Sequence, residues 1–215
     1  MIAIFDGVSS REGLSDFSLR LNLDKVTQLY DPSENLSRAI LYAMVGLDEL
    51  HSGEIYFDQV PLQEFIADGP QIRKLGYVFD EGIMLSNLSL KENLMLPLRW
   101  LNPHLDEARI ASSIQSWMQS FELDLDLNKR PVAYHPGQLK LMGFVRTLLI
   151  EPKVMLIDDP FFLLNKIERK VLLKVLDQLR KTCPMLIASI DDEFGVGFAD
   201  EVIDLSPFET NFKLL

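Results

Sequence analysis

Five short candidate strands constrain this chain most: Lys25–Tyr30, Leu75–Phe79, Val154–Ile157, Met185–Ser189 and Glu201–Leu205. Runs of that length read as strands in the interior of a sheet. Between them the period becomes helical. Ala39, Ile40, Ala43, Met44 and Leu47 fall on one helical face, and Ile167–Leu179 is strongly amphipathic. Strands alternating with helices at both ends of the chain predict an α/β core. Further strands are expected at Ile2–Phe5, at Glu54–Phe57, and at 17–23, where Phe17, Leu19, Leu21 and Leu23 alternate with Ser18, Arg20 and Asn22. From about 83 to 150 helical spacing dominates, with Ala108, Ile110, Ile114, Trp117, Met118 and Phe121 on one stripe and a second helix over about 137–149. That stretch predicts a helical subdomain inserted into the core.

Charge narrows the function classes. With Lys+Arg 21 against Asp+Glu 32, the formal net charge is −11. A nucleic-acid binder needs a basic face for the phosphate backbone, so nucleic acid is not an expected partner. An electrostatic membrane-surface binder is excluded on the same ground. The longest apolar runs are too short to span a bilayer. The start, Met-Ile-Ala-Ile-Phe-Asp, has no basic region and is not read as a signal peptide. With the single cysteine Cys183, no intrachain disulfide forms, and His51, His104 and His135 are too widely spaced for a metal cluster. The expectation is a cytosolic protein, or a cytosolic subunit of something larger.

Four places suit phosphate chemistry. The strand Lys25–Tyr30 runs into a turn and then a helix, the context of a phosphate loop. Val154–Ile157 ends in Asp158-Asp159, as a magnesium-holding strand does. Gly137-Gln138 opens a helix whose N–H groups face an anion. Ser189-Ile190-Asp191-Asp192 follows another strand at the same edge. Each has a plainer reading. An Asp-Asp pair ending a strand also serves as a solvated turn or a cap, and His135 beside Pro136 also reads as a loop histidine.

The order of several stretches resembles the nucleotide-binding subunit of ATP-binding cassette (ABC) transporters. They are Val45-Gly46-Leu47 with His51–Ile55, Ile72–Phe79, Leu88–Leu94, and Glu151-Pro152-Lys153 through Asp158-Asp159-Pro160, the last resembling the Walker B region. Leu94–Leu98 with Pro97 is also similar to the lipid-trafficking branch of these subunits. The resemblance implies an α/β, P-loop NTPase-type ABC ATPase fold: one domain over 1–215, with a RecA-like core, N-terminal antiparallel β strands and an inserted α-helical subdomain over about 82–146.

The same resemblance places the functional positions, and the residues there depart from the family pattern. In the phosphate loop (Gly-x-x-x-x-Gly-Lys-Ser/Thr), Asp31 and Leu36 stand at the glycines, Ser37 at the lysine and Arg38 at the magnesium-binding hydroxyl. The nucleotide-site positions are thus Asp31, Ser33, Glu34, Ser37 and Arg38, with Asp80 at the family's glutamine, and Gly137 and Gln138 in the signature segment Tyr134–Gln138. Asp158 falls on the metal position, Asp159 on the catalytic glutamate, Asn165 on the Asp-loop position and Ile190 on the switch histidine. Glycines let backbone N–H groups curl around phosphate, and the lysine neutralises its oxygens. Carboxylates from Asp31 and Glu34 do the opposite. Two like charges about 4 Å apart repel by about 4 kcal/mol at an effective dielectric near 20. That is half of the ~8 kcal/mol of a micromolar affinity. Arg38 helps only by folding back, and Leu36 and Ile40 are expected to close the loop over the empty phosphate position.

These departures imply a pseudo-ATPase subunit, a scaffold or regulator on the inner face of the membrane. It docks a permease through residues 80–101 and pairs with a second cassette subunit, either itself or an active paralogue, with no cofactor. Trp100 and Leu101 either pack inside the helical subdomain, the ordinary case, or line a groove for a coupling helix. A working ATPase is the alternative. It needs ATP and magnesium, with Asp158 on the metal, Asp159 as base and a phosphate grip by Ser37 and Arg38. A third reading is a soluble interaction protein that has left transport.

Overall fold

A computed structural model describes residues 1–67, 75–101 and 106–211, apart from the side chains of 192, 193 and 209–211. Ile72–Lys74, within one of the resembling stretches, and His104 lie outside the described residues. The chain divides into two units. One comprises Met1–Tyr77, Lys153–Pro160 and Cys183–Leu215, the other Val78–Pro152 and Phe161–Thr182.

The first unit holds an antiparallel sheet and a parallel sheet. The antiparallel sheet has strand order β2-β1-β4-β5, from β1 (Ile2–Ser10), β2 (Phe17–Asn22), β4 (Leu50–Phe57) and β5 (Val60–Pro61). β1 runs past the expected Phe5 because its alternation resumes beyond an irregularity: Ala3, Phe5 and Val8 are buried, and the register shifts between Phe5 and Val8. β4 likewise extends back through Gly53, which has φ +74. A Cβ there would lie 2.2 Å from the carbonyl oxygen of Gly7, so only glycine lets the two backbones approach.

The five-stranded sheet has order β6-β7-β8-β3-β9, from β6 (Leu75–Val78), β7 (Val154–Asp158), β8 (Met185–Ala188), β3 (Val26–Tyr30) and β9 (Glu201–Asp204). The pairings β7–β8, β8–β3 and β3–β9 are parallel. β7 and β8 are buried at every position, as strands covered on both faces must be. Helix α1 (Asn35–Met44) packs Leu36, Ala39, Ile40, Ala43 and Met44 into a core shared with Leu29, Leu156 and Leu186, and a short helix α2 (Leu62–Ala67) follows β5. Parallel strands bring their carboxyl ends to one edge. That edge gathers the turn after β3, the Asp158 end of β7 and Ser189 after β8.

The second unit is helical, and it extends beyond the expected stretch of about 82–146 to include Phe161–Thr182. It contains α3 (Leu90–Leu101), α4 (Glu107–Ser120), α5 (Pro136–Leu148) and α6 (Lys166–Leu179). Pro97 lies inside α3. α6 buries Val171, Leu172, Val175 and Leu176, whereas Ile167 in its first turn is 73% exposed. Trp100, expected to pack within the helical subdomain in the ordinary case, is 68% exposed instead. Among the described residues, no helix is long and apolar enough to cross a membrane.

Candidate functional site

The turn between β3 and α1 is organised by Asp31. Its carboxylate is turned inward, 2% exposed. Oδ1 accepts from the Ser33 N–H at 3.0 Å and from Ser33 Oγ at 2.7 Å, and Oδ2 accepts from the Ser37 N–H at 2.9 Å. Ser37 is the third residue of α1, so its N–H is one of the helix-start donors with no intrahelical acceptor. The Glu34 N–H closes the turn on the Asp31 carbonyl at 3.0 Å. The Asp31 carboxylate, expected from the sequence only to repel phosphate, is thus satisfied by the loop's own N–H groups. Leu36 and Ile40 are buried in the core, and it is the Asp31 carboxylate, not their side chains, that meets the loop's N–H groups.

Arg38 reaches across to the end of β7. Its Nε donates to Asp158 Oδ2 at 3.1 Å, an ion pair in which the Asp158 side chain is 4% exposed and the Arg38 side chain 37%. The Tyr77 hydroxyl donates to the same oxygen at 3.3 Å. Burial first, and then the Asp158 charge, push the Tyr77 hydroxyl far above its ordinary range, so it stays a donor. Arg38 thus reaches Asp158, the carboxylate expected to hold metal. Among the described residues there is no group of three or more His, Cys, Asp or Glu able to hold a metal ion.

Glu34 is the N-cap of α1, in the left-handed region at φ 59, with no side-chain cap bond. Its carboxyl is held above the usual carboxylate range, by desolvation first and then by Asp159, Asp31 and Asp191, with Arg38 opposing. Asp159 has φ 32, and its N–H donates to the Ala188 carbonyl at 3.0 Å. The sheet edge is therefore strongly acidic.

Gln28, in β3, is a site residue that the sequence reading missed. It is 1% exposed, and its Nε2 donates to the carbonyls of Ser189 at 2.7 Å and Asp191 at 3.2 Å. It fixes the segment after β8 that carries Ile190, itself 45% exposed. A long amide side chain inside a strand expected to be buried was the available signal.

Asp80, Gly137 and Gln138 belong to the second unit. Asp80 Oδ1 accepts from the Glu81 N–H at 2.8 Å. The segment from 79 to 85 is pinned by three side chains that sequence reasoning also missed. Lys140 Nζ donates to the Phe79 carbonyl at 2.8 Å, Arg146 Nη1 to the Ile83 carbonyl at 2.7 Å, and Asn93 bonds both the N–H and the carbonyl of Leu85. Lys140 is fully buried among the apolar positions of α5. His135 is the N-cap of α5: its Nδ1 accepts from the Gln138 N–H, and Gln138 Oε1 accepts from the His135 N–H, a reciprocal capping box. His135 Nε2 is 3.3 Å from Glu168 Oε1. Glu168 also lies over Gly137, where a Cβ would meet Glu168 Oε2 at 2.5 Å. Asn165 caps α6, accepting from Ile167 and Glu168 N–H groups.

A sequence profile for the ABC transporter family matches residues 38–162, more than half of the chain. The chain belongs to the ABC transporter family. The matched span of this ABC chain starts at Arg38, just after the turn that Asp31 organises, and contains Asp80, Gly137, Gln138, Asp158 and Asp159. Among curated relatives, the ABC chain is 27% identical over 195 residues to the sulfate/thiosulfate import ATP-binding protein CysA of Bradyrhizobium diazoefficiens, covering 88% of this chain and 56% of that protein. It is 30% identical over 192 residues to the molybdenum import ATP-binding protein ModC of Rhodobacter capsulatus, covering 85% of this chain and 50% of that protein. The ABC chain thus spans about half the length of the curated relatives it matches. Its fold is similar, with TM-score 0.80 and 20% identity, to a dimeric ATP-binding cassette in a post-hydrolysis state bound to ADP and Pi, covering 95% of this chain and 94% of that one. The α/β cassette fold of this ABC chain is the one the sequence predicts.

Proposed function

We propose that this chain is an ATP-binding-type subunit of an ABC transport system that neither binds nor hydrolyses ATP, and that it serves as a scaffold or regulator. One observation carries the reading: Arg38, at the position of the family's magnesium-binding hydroxyl, pairs with Asp158, at the position of its metal carboxylate. The Arg38 guanidinium on Asp158 Oδ2 neutralises and competes for the carboxylate that a metal ion would need, so the edge as built disfavours Mg-ATP. The acidity around Glu34 acts in the same direction against a triphosphate.

The subunit docks a membrane permease on the inner face of the membrane and pairs with a second cassette, itself or an active paralogue. Exposed apolar residues between 80 and 101 support the docking part. Ile83 is 50% exposed, Leu85 48%, Leu96 49% and Trp100 68%. The relatives reported above are named for import of sulfate, thiosulfate and molybdenum, which makes an importer the system of choice. They lend nothing to the lipid-branch resemblance of Leu94–Leu98.

Calorimetry with Mg-ATP tests the reading. The natural chain gives no binding heat and no turnover. A chain with the loop pattern restored (Asp31→Gly, Glu34→Gly, Leu36→Gly, Ser37→Lys, Arg38→Ser) binds. Micromolar binding by the natural chain, with magnesium-dependent turnover lost in Asp159→Asn, would establish the working ATPase instead.

A further inference from the structure

We infer that the loop over 31–38 carries its own anion and its own cation: the Asp31 carboxylate occupies the cradle that would receive a phosphate, and the Arg38 guanidinium pairs with Asp158, the carboxylate that the family resemblance gives to the metal. The inference rests on the pseudo-ATPase reading and goes beyond it. It says why the site is closed to ligand, and that the loop keeps an ordered shape without one.

A phosphate loop works by pointing backbone N–H groups and a helix start at bound oxygens. Here Asp31 supplies two such oxygens from within. One takes the Ser33 N–H and hydroxyl, the other the Ser37 N–H in the first turn of α1. Bonds from N–H to a carboxylate are charge-assisted, so an incoming phosphate has to displace strong bonds and also face the Asp31 charge. The cradle is buried, with Asp31 at 2% and Ser37 at 3% exposure. On its other side Arg38 Nε joins α1 to the end of β7 through Asp158 Oδ2 at 3.1 Å, with Tyr77 on the same oxygen. A phosphate–metal pair and a carboxylate–guanidinium pair have the same alternation of charge. The second pair is covalently part of the chain and does not dissociate.

The test uses the full chain with inorganic pyrophosphate as probe, and amide hydrogen exchange as an independent readout. In Asp31→Gly, the Ser37 amide should exchange at least tenfold faster than in the natural chain. Millimolar pyrophosphate should slow it again and raise the melting temperature of that variant, while leaving the natural chain unchanged. Because Arg38 remains, this rescue should need no magnesium, and it should become magnesium-dependent in Asp31→Gly/Arg38→Ser. Equal exchange at Ser37 in the natural and Asp31→Gly chains overturns the inference, whatever the calorimetry with Mg-ATP gives. So does pyrophosphate acting equally on both, or on neither. Mg-ATP turnover by the natural chain overturns the proposed function instead. The Ser37 exchange rates then decide separately whether Asp31 orders the loop.

Discussion

Gln28 Nε2 lies 2.7 Å from the carbonyl oxygen of Ser189, so a side chain from the middle of β3 holds the segment that follows β8. The same amide reaches the Asp191 carbonyl at 3.2 Å. Gln28→Leu leaves both carbonyls without this donor, at a cost of about 1–3 kcal/mol for a buried acceptor. Amides over 189–191 should exchange faster while those of β7 keep their protection. Uniform loss of protection across the parallel sheet would mean that Gln28 supports the whole core and not this segment.

Arg38→Met leaves Asp158 buried without its guanidinium. A fully buried pair costs about 3–5 kcal/mol when one partner is removed. The Arg38 side chain is 37% exposed, so solvent screening brings the expected loss to about 2 kcal/mol. Asp158→Asn in the Arg38→Met background should recover part of it, because the surviving cost is that of an unpaired charge. Urea midpoints of the two single variants and the double variant check this, and additive losses would refute the pairing.

Glu34 links the site to pH. Its carboxyl is raised above 4.5, so its protonated form is favoured in the fold. That contribution is complete below the unfolded value and is lost as pH rises through the folded one. At neutral pH the charged form is therefore the unfavourable one. Glu34→Gln should raise the urea midpoint at neutral pH, and the gain should shrink below pH 4.5. A gain of the same size at both pH values would trace to helix propensity instead of charge.

Gly137 and Glu168 compete for one space. Glu168 Oε2 accepts from the Asn165 N–H at 2.9 Å and would lie 2.5 Å from an added Cβ at 137. Gly137→Ala must push that carboxylate off its cap, costing about 1 kcal/mol, the usual worth of a capping interaction. In a Glu168→Ala background the same substitution should cost nothing. A double-mutant cycle with no coupling energy would place the clash elsewhere.

Much of the architecture was readable from period alone. Val154–Ile157 and Met185–Ala188 are apolar throughout because both faces of a parallel strand are covered, and both are strands of the central sheet. The capping residues were less legible. His135 and Asn165 sit at helix starts, where a glutamine and a glutamate three residues on complete each box, a pattern present in the sequence but overshadowed by family positions. β1 outran its expected bounds because alternation resumes past the irregular register near Gly7, and β4 because its exposed residues before Glu54 continue the pairing with β1, a stretch that no apolar period marks.

The sequence by itself determined which residues stand at the positions that the family resemblance assigns to nucleotide, since residue order is a local property of the chain. It carried the acidity of Asp31, Glu34, Asp158 and Asp159, and the order of strand, turn and helix that brings them to one sheet edge. Only the tertiary structure decided what those charges do. Asp31 turns inward because the start of α1 offers it N–H groups in need of an acceptor. Arg38 finds Asp158 although 120 residues separate them in sequence, because β3 and β7 flank the same strand. A charge has no meaning for function until its neighbours are known, and in a parallel sheet the neighbours come from distant segments.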